Sequence, residues 1–338
     1  MGTDERDSLR HTWLRRLVTI PAVFALAALA WGALPLWLAA TTGLDLLLPR
    51  RARSTRLRVV LLLLTYLSCE VLGIIAAGLI WLTTLGGHLV GPRLYIQAHA
   101  VLQRWWTATL FACGRRLLGL KVEVEGQELG RNGPLLLLVR HSSMADTLIA
   151  AAVVANPHKI LLRYVLKREL MLDPCLDLVG QRLPNAFVRR GSRDRAQEIG
   201  AVARLGAQLD DRSAVLIYPE GTRFSLAKRT AAIQALRDHG RGDLAARAAA
   251  MTAVLPPKPA GVSALLDAAP GVDVVFVEHA GLELDGGLAA LWRGELMGRT
   301  LHVRLRRIAA DLVPKTDREA WLYDEWQTCD AYVRRCAE

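Results

Sequence analysis

A histidine and an aspartate stand five residues apart in the segment "HSSMAD", which begins at His141 and ends at Asp146. The segment follows the apolar run "PLLLLV", typical of a buried strand, and precedes "DTLIAAAVVA", typical of a helix. Because residues i and i+5 of a regular helix are about 140° apart, the two side chains can meet only if the chain turns between them. The sequence therefore predicts a strand-to-helix turn in which Asp146 accepts a hydrogen bond from one imidazole nitrogen while the other nitrogen takes a proton.

This arrangement would make His141 a general base for a hydroxyl group on a bound substrate, with no covalent intermediate on the protein. A simpler interpretation of the same residues is that Asp146 caps the helix and that His141 is a polar residue at the end of a strand. Histidine and aspartate often occur at this spacing by chance, so both interpretations stay open on this segment alone.

A second polar turn follows another apolar run in "SAVLIYPEGTRFS", residues 213–225. A proline ends the strand, and Glu220, Gly221, Thr222 and Arg223 then form a tight turn. Glycine allows a positive φ or a close approach of a ligand to the backbone, and the guanidinium group of arginine can bind a phosphate through two parallel hydrogen bonds. The turn is a candidate phosphate site, or else a surface turn with an arginine–glutamate ion pair.

Taken together, the two segments resemble the H-x4-D and E-G-T-R blocks of the glycerolipid acyltransferases, typified by the 1-acylglycerol-3-phosphate acyltransferases. "NAFVRR", which contains Phe187 and Arg190, is similar to the F-x-x-R block of that family, and "AVLPPKPAGV", residues 253–262, resembles its apolar-proline block. The four blocks occur in the order of the family. The long segment between the third and fourth blocks, and the three prolines of the fourth, depart from the family pattern where the acceptor or the acyl chain is handled.

The resemblance implies an O-acyltransferase that moves a fatty acyl group from an acyl thioester to the sn-2 hydroxyl of a lysophospholipid. His141 would deprotonate that hydroxyl, and Asp146 would orient the imidazole and support its positive charge. The substrate-binding residues implied by position are Glu220, Gly221, Thr222 and Arg223 at the glycerol phosphate, Arg190 as a second phosphate ligand, and Phe187 in the same block as Arg190.

The implied partners are acyl-CoA or acyl carrier protein as the acyl donor, a lysophospholipid as the acceptor, and membrane lipids. 1-Acylglycerol-3-phosphate, giving phosphatidic acid, is the first candidate acceptor, with lysophosphatidylglycerol, lysocardiolipin and a lyso-ornithine lipid as alternatives. A non-catalytic lipid-binding protein on the same fold is the rival from a different functional class. No cofactor or metal is expected, since the five cysteines and eight histidines show no ligand spacing.

The apolar residues are concentrated near the N-terminus of a basic chain. Hydrophobic residues make up 52% of the 338 residues, and the formal net charge is +11. No charged residue occurs from Leu17 to Leu44, and from Val59 to Gly91 only Glu70 is charged. Each run exceeds the roughly 20 residues needed to cross the hydrocarbon core, so residues 1–92 are predicted to form a membrane anchor with two hydrophobic helices.

Arginines lie on both sides of the first apolar run: Arg10, Arg15 and Arg16 precede it, and five arginines occur in residues 50–58, which join it to the second run. The positive-inside rule places the flanks and this joining segment alike in the cytoplasm. We therefore expect a hairpin that dips into one leaflet and returns, with Pro21 and Pro35 as sites where the first run could bend. The catalytic domain is expected to face the cytoplasm of a bacterial-type inner membrane. The basic charge is dispersed along the sequence, and no nucleic-acid-binding module occurs in it. We therefore expect anionic lipid, and not nucleic acid, as the partner of these basic residues.

Short β-rich runs alternate with helical stretches after residue 120. This alternation predicts an α/β domain with a mixed central sheet flanked by helices. The domain is predicted over residues 93–310 and follows the two-helix membrane hairpin. Residues 311–338 are predicted to form a C-terminal amphipathic helix packed on that domain. Strands are predicted over 121–126, 134–140, 160–166, 213–218, 251–255, 272–277 and 300–307. Helices are predicted over 93–118, 146–156, 193–209, 230–250 and 316–335.

Overall fold

A mixed seven-stranded sheet forms the centre of one of the two compact units in the computed structural model of the chain. The structure describes residues 9–47, 54–188, 195–207, 209–284 and 287–337. The first unit contains Met1–Leu118, Lys167–Pro184 and Leu288–Glu295, and the second contains Gly119–Leu166, Asn185–Gly287 and Leu296–Glu338. The division into an anchor, a catalytic domain and a C-terminal helix stays a prediction.

The elements follow the expected alternation after residue 120. The helices of the described residues are α1 (Leu9–Gly32), α2 (Leu34–Leu46), α3 (Thr55–Thr84), α4 (Gly91–Leu118), α5 (Asp146–Ala150), α6 (Asn156–His158), α7 (Pro174–Gly180), α8 (Arg195–Gly206), α9 (Leu226–Asp238), α10 (Gly242–Ala250), α11 (Pro259–Ala268), α12 (Leu288–Arg293) and α13 (Arg318–Ala337). The strands are β1 (Lys121–Glu125), β2 (Leu135–Val139), β3 (Leu161–Lys167), β4 (Ala186–Val188), β5 (Ser213–Ile217), β6 (Asp273–Ala280) and β7 (Thr300–Ile308). A π-helical turn over Ala151–Ala155 joins α5 to α6.

The strand order is β1-β7-β6-β2-β5-β3-β4, and the predicted mixed sheet is confirmed. Strand β2 pairs in parallel with both β5 and β6, whereas β6 and β7 are antiparallel. All five residues of β2 are buried, as expected for a leucine-rich strand covered on both faces. Because β2 and β5 are parallel neighbours, the segments that follow them begin at the same edge of the sheet.

The C-terminal helix α13 covers the sheet within the second unit. Trp326 of α13 is fully buried, and its ring centroid lies 6.4 Å from that of Phe276 on β6. Arg306 on β7 donates to the carboxylate of Glu325 at 2.8 Å, which ties the same helix to the neighbouring strand. The apolar core of this unit thus lies directly beneath the strands that carry the polar turns.

The structure differs from the sequence predictions at several elements. Residues 251–255 are not a strand, because their backbone N–H groups go to carboxylates: Ala253 N donates to Asp330 and Leu255 N donates to Glu220. The predicted helix over 230–250 is interrupted between Asp238 and Gly242, where Gly240 has a φ of +71°. The short edge strand β4 was not expected, since a three-residue strand carries too little pattern to be recognised.

Two helices of the first unit, over Arg10–Gly32 and Thr55–Thr84, are long and apolar enough to cross a membrane. Pro21 lies inside the unbroken helix α1, whereas Pro35 lies in the first turn of α2, directly after the interruption at Ala33. Helices α1 and α2 both pack along α3. Trp31 donates to Ser68 at 3.0 Å, and Arg56 donates to Asp45 at 3.2 Å. The hairpin is therefore formed by α1 and α2 against α3.

One side of this hairpin makes polar contacts with α7 and the turn before it. The hydroxyl of Tyr66 on α3 donates to Asp173 at 2.7 Å, and Arg15 and Arg16 of α1 each donate to the buried carboxylate of Asp177 at 2.8 Å. These contacts fix α7 against the hairpin within the first unit.

Candidate active site

His141 and Asp146 meet across the turn that joins β2 to α5. His141 Nδ1 lies 2.9 Å from Asp146 Oδ2. The carboxylate also accepts the backbone N–H groups of Ser142 and Ser143, at 2.7 and 2.9 Å, and the hydroxyl of Ser143 at 2.6 Å. Asp146 therefore both closes the turn at the start of α5 and binds the imidazole, so the two interpretations of the sequence are compatible.

The charge of Asp146 is stabilised by its surroundings. Burial by itself would raise the pKa of Asp146, but the nearby His279 and the hydrogen bonds from His141 and Ser143 outweigh it and lower that pKa below its ordinary value. Since an ionised carboxylate only accepts hydrogen bonds, the proton of the neutral imidazole lies on Nδ1 of His141. Nε2 is then left with the lone pair that can take a proton from a substrate.

A second imidazole lies behind the carboxylate. His279, at the end of β6, is fully buried, and its Nε2 lies 3.0 Å from the carbonyl oxygen of Arg140 and 3.6 Å from Asp146 Oδ1. Desolvation lowers the pKa of His279, against the opposing effect of the Asp146 charge. The Nε2–H of His279 donates to the Arg140 carbonyl, since a carbonyl oxygen only accepts.

Arg140, directly before His141, is a buried clamp. Its guanidinium group donates to the carbonyl oxygens of His279, at 2.7 Å, and Ala253, at 3.0 Å, and forms an ion pair with Glu283. Burial would lower the pKa of Arg140, but the negative charge of Glu283 raises it, so the guanidinium stays charged. The end of β2, the end of β6 and the 251–255 segment are thereby joined behind the site.

The sequence interpretation missed Arg140, His279 and Glu283. Its only signal was that a charged or polar residue ends each of two otherwise apolar strands, in "LLLLVRH" and "VVFVEHA". Such residues need buried partners, but the partner of Arg140 lies more than a hundred positions away along the chain.

Glu220 faces inward and holds the backbone of the E-G-T-R turn against His141. Its carboxylate, 1% exposed, accepts the N–H of His141 at 2.7 Å and the N–H of Leu255 at 2.9 Å. Phe224 N in turn donates to the carbonyl oxygen of His141 at 2.9 Å. Burial raises the pKa of Glu220 to about 8, although both N–H groups and the charge of Arg140 act in the opposite direction. The position of Glu220 favours a positioning role over direct contact with a phosphate.

The remaining residues of the turn form a cationic surface beside His141. Gly221 has a φ of +67°, and a Cβ at this position would lie 3.3 Å from the side chain of Lys258. Arg223 is exposed, Thr222 is half-buried, and the ammonium group of Lys228 donates to Thr222 Oγ1 at 3.2 Å and to the carbonyl oxygen of Arg223 at 3.0 Å. The structure thus brings Gly221, Thr222 and Arg223 together with two lysines that the motif alone did not indicate.

The aromatic ring of Tyr218, the last residue before the turn's proline, supports the imidazole. Its centroid lies 4.2 Å from that of His141, with the two ring planes 24° apart. The hydroxyl of Tyr218 lies 3.0 Å from Thr147 Oγ1 on α5, which fixes the ring over the His–Asp pair. Packing and hydrogen bonding therefore leave the imidazole little freedom to rotate.

The fourth predicted element of the site is only partly described. Phe187 is half-buried on β4, which is separated from β2 by β5 and β3 and so lies about 14 Å away at the usual strand spacing. Arg190 lies outside the described residues. Among the residues that are described, no group of three or more histidine, cysteine, aspartate or glutamate side chains is arranged to hold a metal ion.

Comparison with known proteins finds similarity to acyltransferases. The acyltransferase family model matches residues 121–276. The chain is similar to the lyso-ornithine lipid O-acyltransferase of Rhizobium meliloti (strain 1021), with 31% identity over 120 residues that cover 36% of this chain and 38% of that protein. It is also similar to the crystal structure of the 1-acyl-sn-glycerophosphate (LPA) acyltransferase from Thermotoga maritima, with a TM-score of 0.53, 16% identity, and coverage of 83% of this chain and 97% of the other. At this identity the structural likeness shows the fold.

The clamp formed by Arg140 leads to a prediction about stability. Replacing Arg140 with methionine should lower the free energy of unfolding by about 3–5 kcal/mol, because Glu283 loses its partner and two buried carbonyl groups lose their donor. Thermal unfolding of the detergent-solubilised chain measures this. Arg241→Met is the matched control, since the Arg241–Glu319 pair is exposed and its loss should leave Tm unchanged. Equal Tm values for the two variants would exclude the clamp.

Proposed function

We propose that the chain is a glycerolipid acyltransferase that transfers a fatty acyl group from an acyl thioester to the free hydroxyl of a lysolipid, with His141 as the general base. The observation that carries this proposal is the His141–Asp146 hydrogen bond beside a cationic turn. A non-catalytic lipid-binding protein would have no need of an ionised buried aspartate that directs the imidazole lone pair outward.

The reaction follows from the two nitrogens of His141. Nε2 accepts the proton of the acceptor hydroxyl while Nδ1–H remains bonded to Asp146, which stabilises the imidazolium that forms. The hydroxyl oxygen attacks the thioester carbonyl, a C–O ester bond forms, and the C–S bond breaks. The departing thiolate then takes the proton from the imidazolium. General-base catalysis of this kind contributes about 10²–10⁴-fold, and no acyl-enzyme is needed.

The cationic turn supports a phosphorylated acceptor. Arg223, Lys228 and Lys258 surround a backbone turn whose only carboxylate, that of Glu220, is buried. A phosphomonoester carries close to two negative charges and suits such a site, so 1-acylglycerol-3-phosphate is the first candidate acceptor and phosphatidic acid its product. The similarity to a lyso-ornithine lipid O-acyltransferase favours a lyso-ornithine lipid as the second candidate. The donor is proposed to be acyl-CoA or acyl carrier protein.

We further propose that the hairpin lies within the cytoplasmic leaflet of a bacterial-type inner membrane and does not span it. Asp173 and Asp177 contact the hairpin, and charged groups avoid hydrocarbon depth, so the α3 segment near Tyr66 lies at the interface. The part of α3 between Thr55 and Tyr66 rises only about 16 Å. That is about half of the roughly 30 Å hydrocarbon core, so Thr55, at the N-terminal end of α3, would not reach the opposite headgroups.

A test of the catalytic pair is Asp146→Asn. The asparagine oxygen can still accept from Ser142 and Ser143, so the fold should persist, but the imidazole loses its charged partner. We expect kcat to fall about 10²–10⁴-fold with little change in the acceptor KM, measured with a labelled acyl thioester. Asp211→Asn, at an exposed position of the same unit, should have no effect. A kcat within twofold of the parent for Asp146→Asn would remove Asp146 from the mechanism.

A test of the phosphate site is Arg223→Ala. We expect the KM for a phosphorylated acceptor to rise about tenfold while kcat changes little, because a charge-assisted hydrogen bond is lost. Arg237→Ala, an exposed arginine at the other end of α9, is the matched control and should leave both constants unchanged. If the KM for every acceptor tested is the same in Arg223→Ala as in the parent, Arg223 does not bind the acceptor.

A test of the topology uses Ser54→Cys, directly before α3, in a chain whose five native cysteines are replaced by alanine. We expect no labelling of intact cells by a membrane-impermeant thiol reagent, and labelling after the cells are opened. A cysteine at Lys315, in the second unit, is the control for the cytoplasmic side and should behave in the same way. Labelling of position 54 in intact cells would show that the hairpin spans the membrane.

A further inference from the structure

Two loops at the candidate site each expose an apolar side chain at the tip. Met144, in the turn between His141 and Asp146, is 78% exposed, and Leu226, the first residue of α9, is 70% exposed. Neither side chain is needed for the core of the second unit. Large apolar side chains at such exposure commonly mark a binding surface when they cluster.

The two tips belong to one surface. The loops follow β2 and β5, which are parallel neighbours in the sheet, and so they leave it at the same edge. Phe224 N donates to the carbonyl oxygen of His141 at 2.9 Å, which joins the segment before Leu226 to the segment before Met144. Met144 and Leu226 therefore flank the same His141.

The exposed charges of these loops have a single sign. The acidic residues within residues 139–148 and 219–237 are Asp146 and Glu220, and each is 1% exposed. Lys228, in the first turn of α9, is exposed, and its ammonium group lies at the E-G-T-R turn. Apolar tips beside positive charge match the boundary between the anionic headgroups and the acyl chains of a leaflet.

We propose that Met144 and Leu226, with Lys228 beside them, form a lipid-docking surface that inserts into an anionic leaflet around the site. The inference rests on the proposed function, because docking there would let a lysolipid reach His141 without leaving the lipid phase. The docking surface adds a second membrane contact, formed by the second unit itself and independent of the hydrophobic hairpin of the first unit.

The docking surface is tested by fluorescence, without turnover. Met144→Trp, Leu226→Trp and Leu312→Trp are made separately in the full chain and placed in phosphatidylglycerol vesicles with brominated or ordinary acyl chains. Leu312 is the matched control, since it is 69% exposed and follows β7, whose end lies at the opposite edge of the sheet because β7 is antiparallel to β6. Bromine quenches a tryptophan only on contact with the acyl region.

We expect the fluorescence that Met144→Trp or Leu226→Trp adds to that of the parent chain to fall strongly in brominated vesicles. The fluorescence that Leu312→Trp adds should be unaffected. Equal behaviour at all three positions overturns the proposal. Because no substrate is present, this result is independent of whether the chain transfers an acyl group, so failure of the docking surface and failure of the proposed function are distinguished.

A second measurement separates docking from substrate binding. The double variant Met144→Ser/Leu226→Ser should lose about tenfold in kcat/KM for a long-chain acceptor embedded in vesicles, since two apolar side chains no longer enter the lipid. It should keep the parental kcat/KM for a short-chain, water-soluble acceptor, and Leu312→Ser should be unaffected on both. An equal loss on both acceptors would show that Met144 and Leu226 contact the substrate and would overturn the docking surface.

Discussion

The position of His141 depends on two hydrogen bonds to its own backbone. Glu220 accepts the His141 N–H at 2.7 Å, and Phe224 donates to the His141 carbonyl at 2.9 Å. Since the acceptor of one bond and the donor of the other both lie in the segment 220–224, His141 and the cationic turn form one rigid arrangement, although His141 and Glu220 are 79 positions apart along the chain. The distance from His141 to the cationic turn is thereby fixed by backbone geometry, as the proposed general-base catalysis on a positioned hydroxyl requires.

The buried polar groups behind the site have a related purpose. Arg140 and His279 would be costly to bury singly, but each is satisfied: the guanidinium binds the half-buried Glu283 and the carbonyl of His279, and the His279 ring binds the carbonyl of Arg140. This network closes the ends of β2 and β6 and places the His279 imidazole 3.6 Å from Asp146. The carboxylate that orients His141 is therefore enclosed on every side by groups that favour its ionised form or its present position.

The local parts of the site were accessible from the sequence, and the long-range parts were not. The strand-to-helix turn around His141 and Asp146 was predictable because an apolar run, a polar turn and a helical pattern follow one another directly. The inward direction of Glu220 was not, since its two backbone partners come from other segments. Residues 251–255 have the apolar composition of a strand, but their amides bind carboxylates of distant residues, which no local pattern reveals. The mixed sheet was predictable from the alternation of elements, whereas the strand order was not.

The central claim is that His141 acts as the base in acyl transfer to a lysolipid. The most direct measurement is transfer from a labelled long-chain acyl-CoA to a panel of lysophosphatidic acid, lysophosphatidylglycerol, lysocardiolipin and lyso-ornithine lipid by the purified full chain, with His141→Ala alongside and acyl carrier protein as the alternative donor. The account predicts product from at least one acceptor with the parent chain and none with His141→Ala, at equal Tm. Product formation that is unchanged in His141→Ala, or no product with either donor, would contradict it.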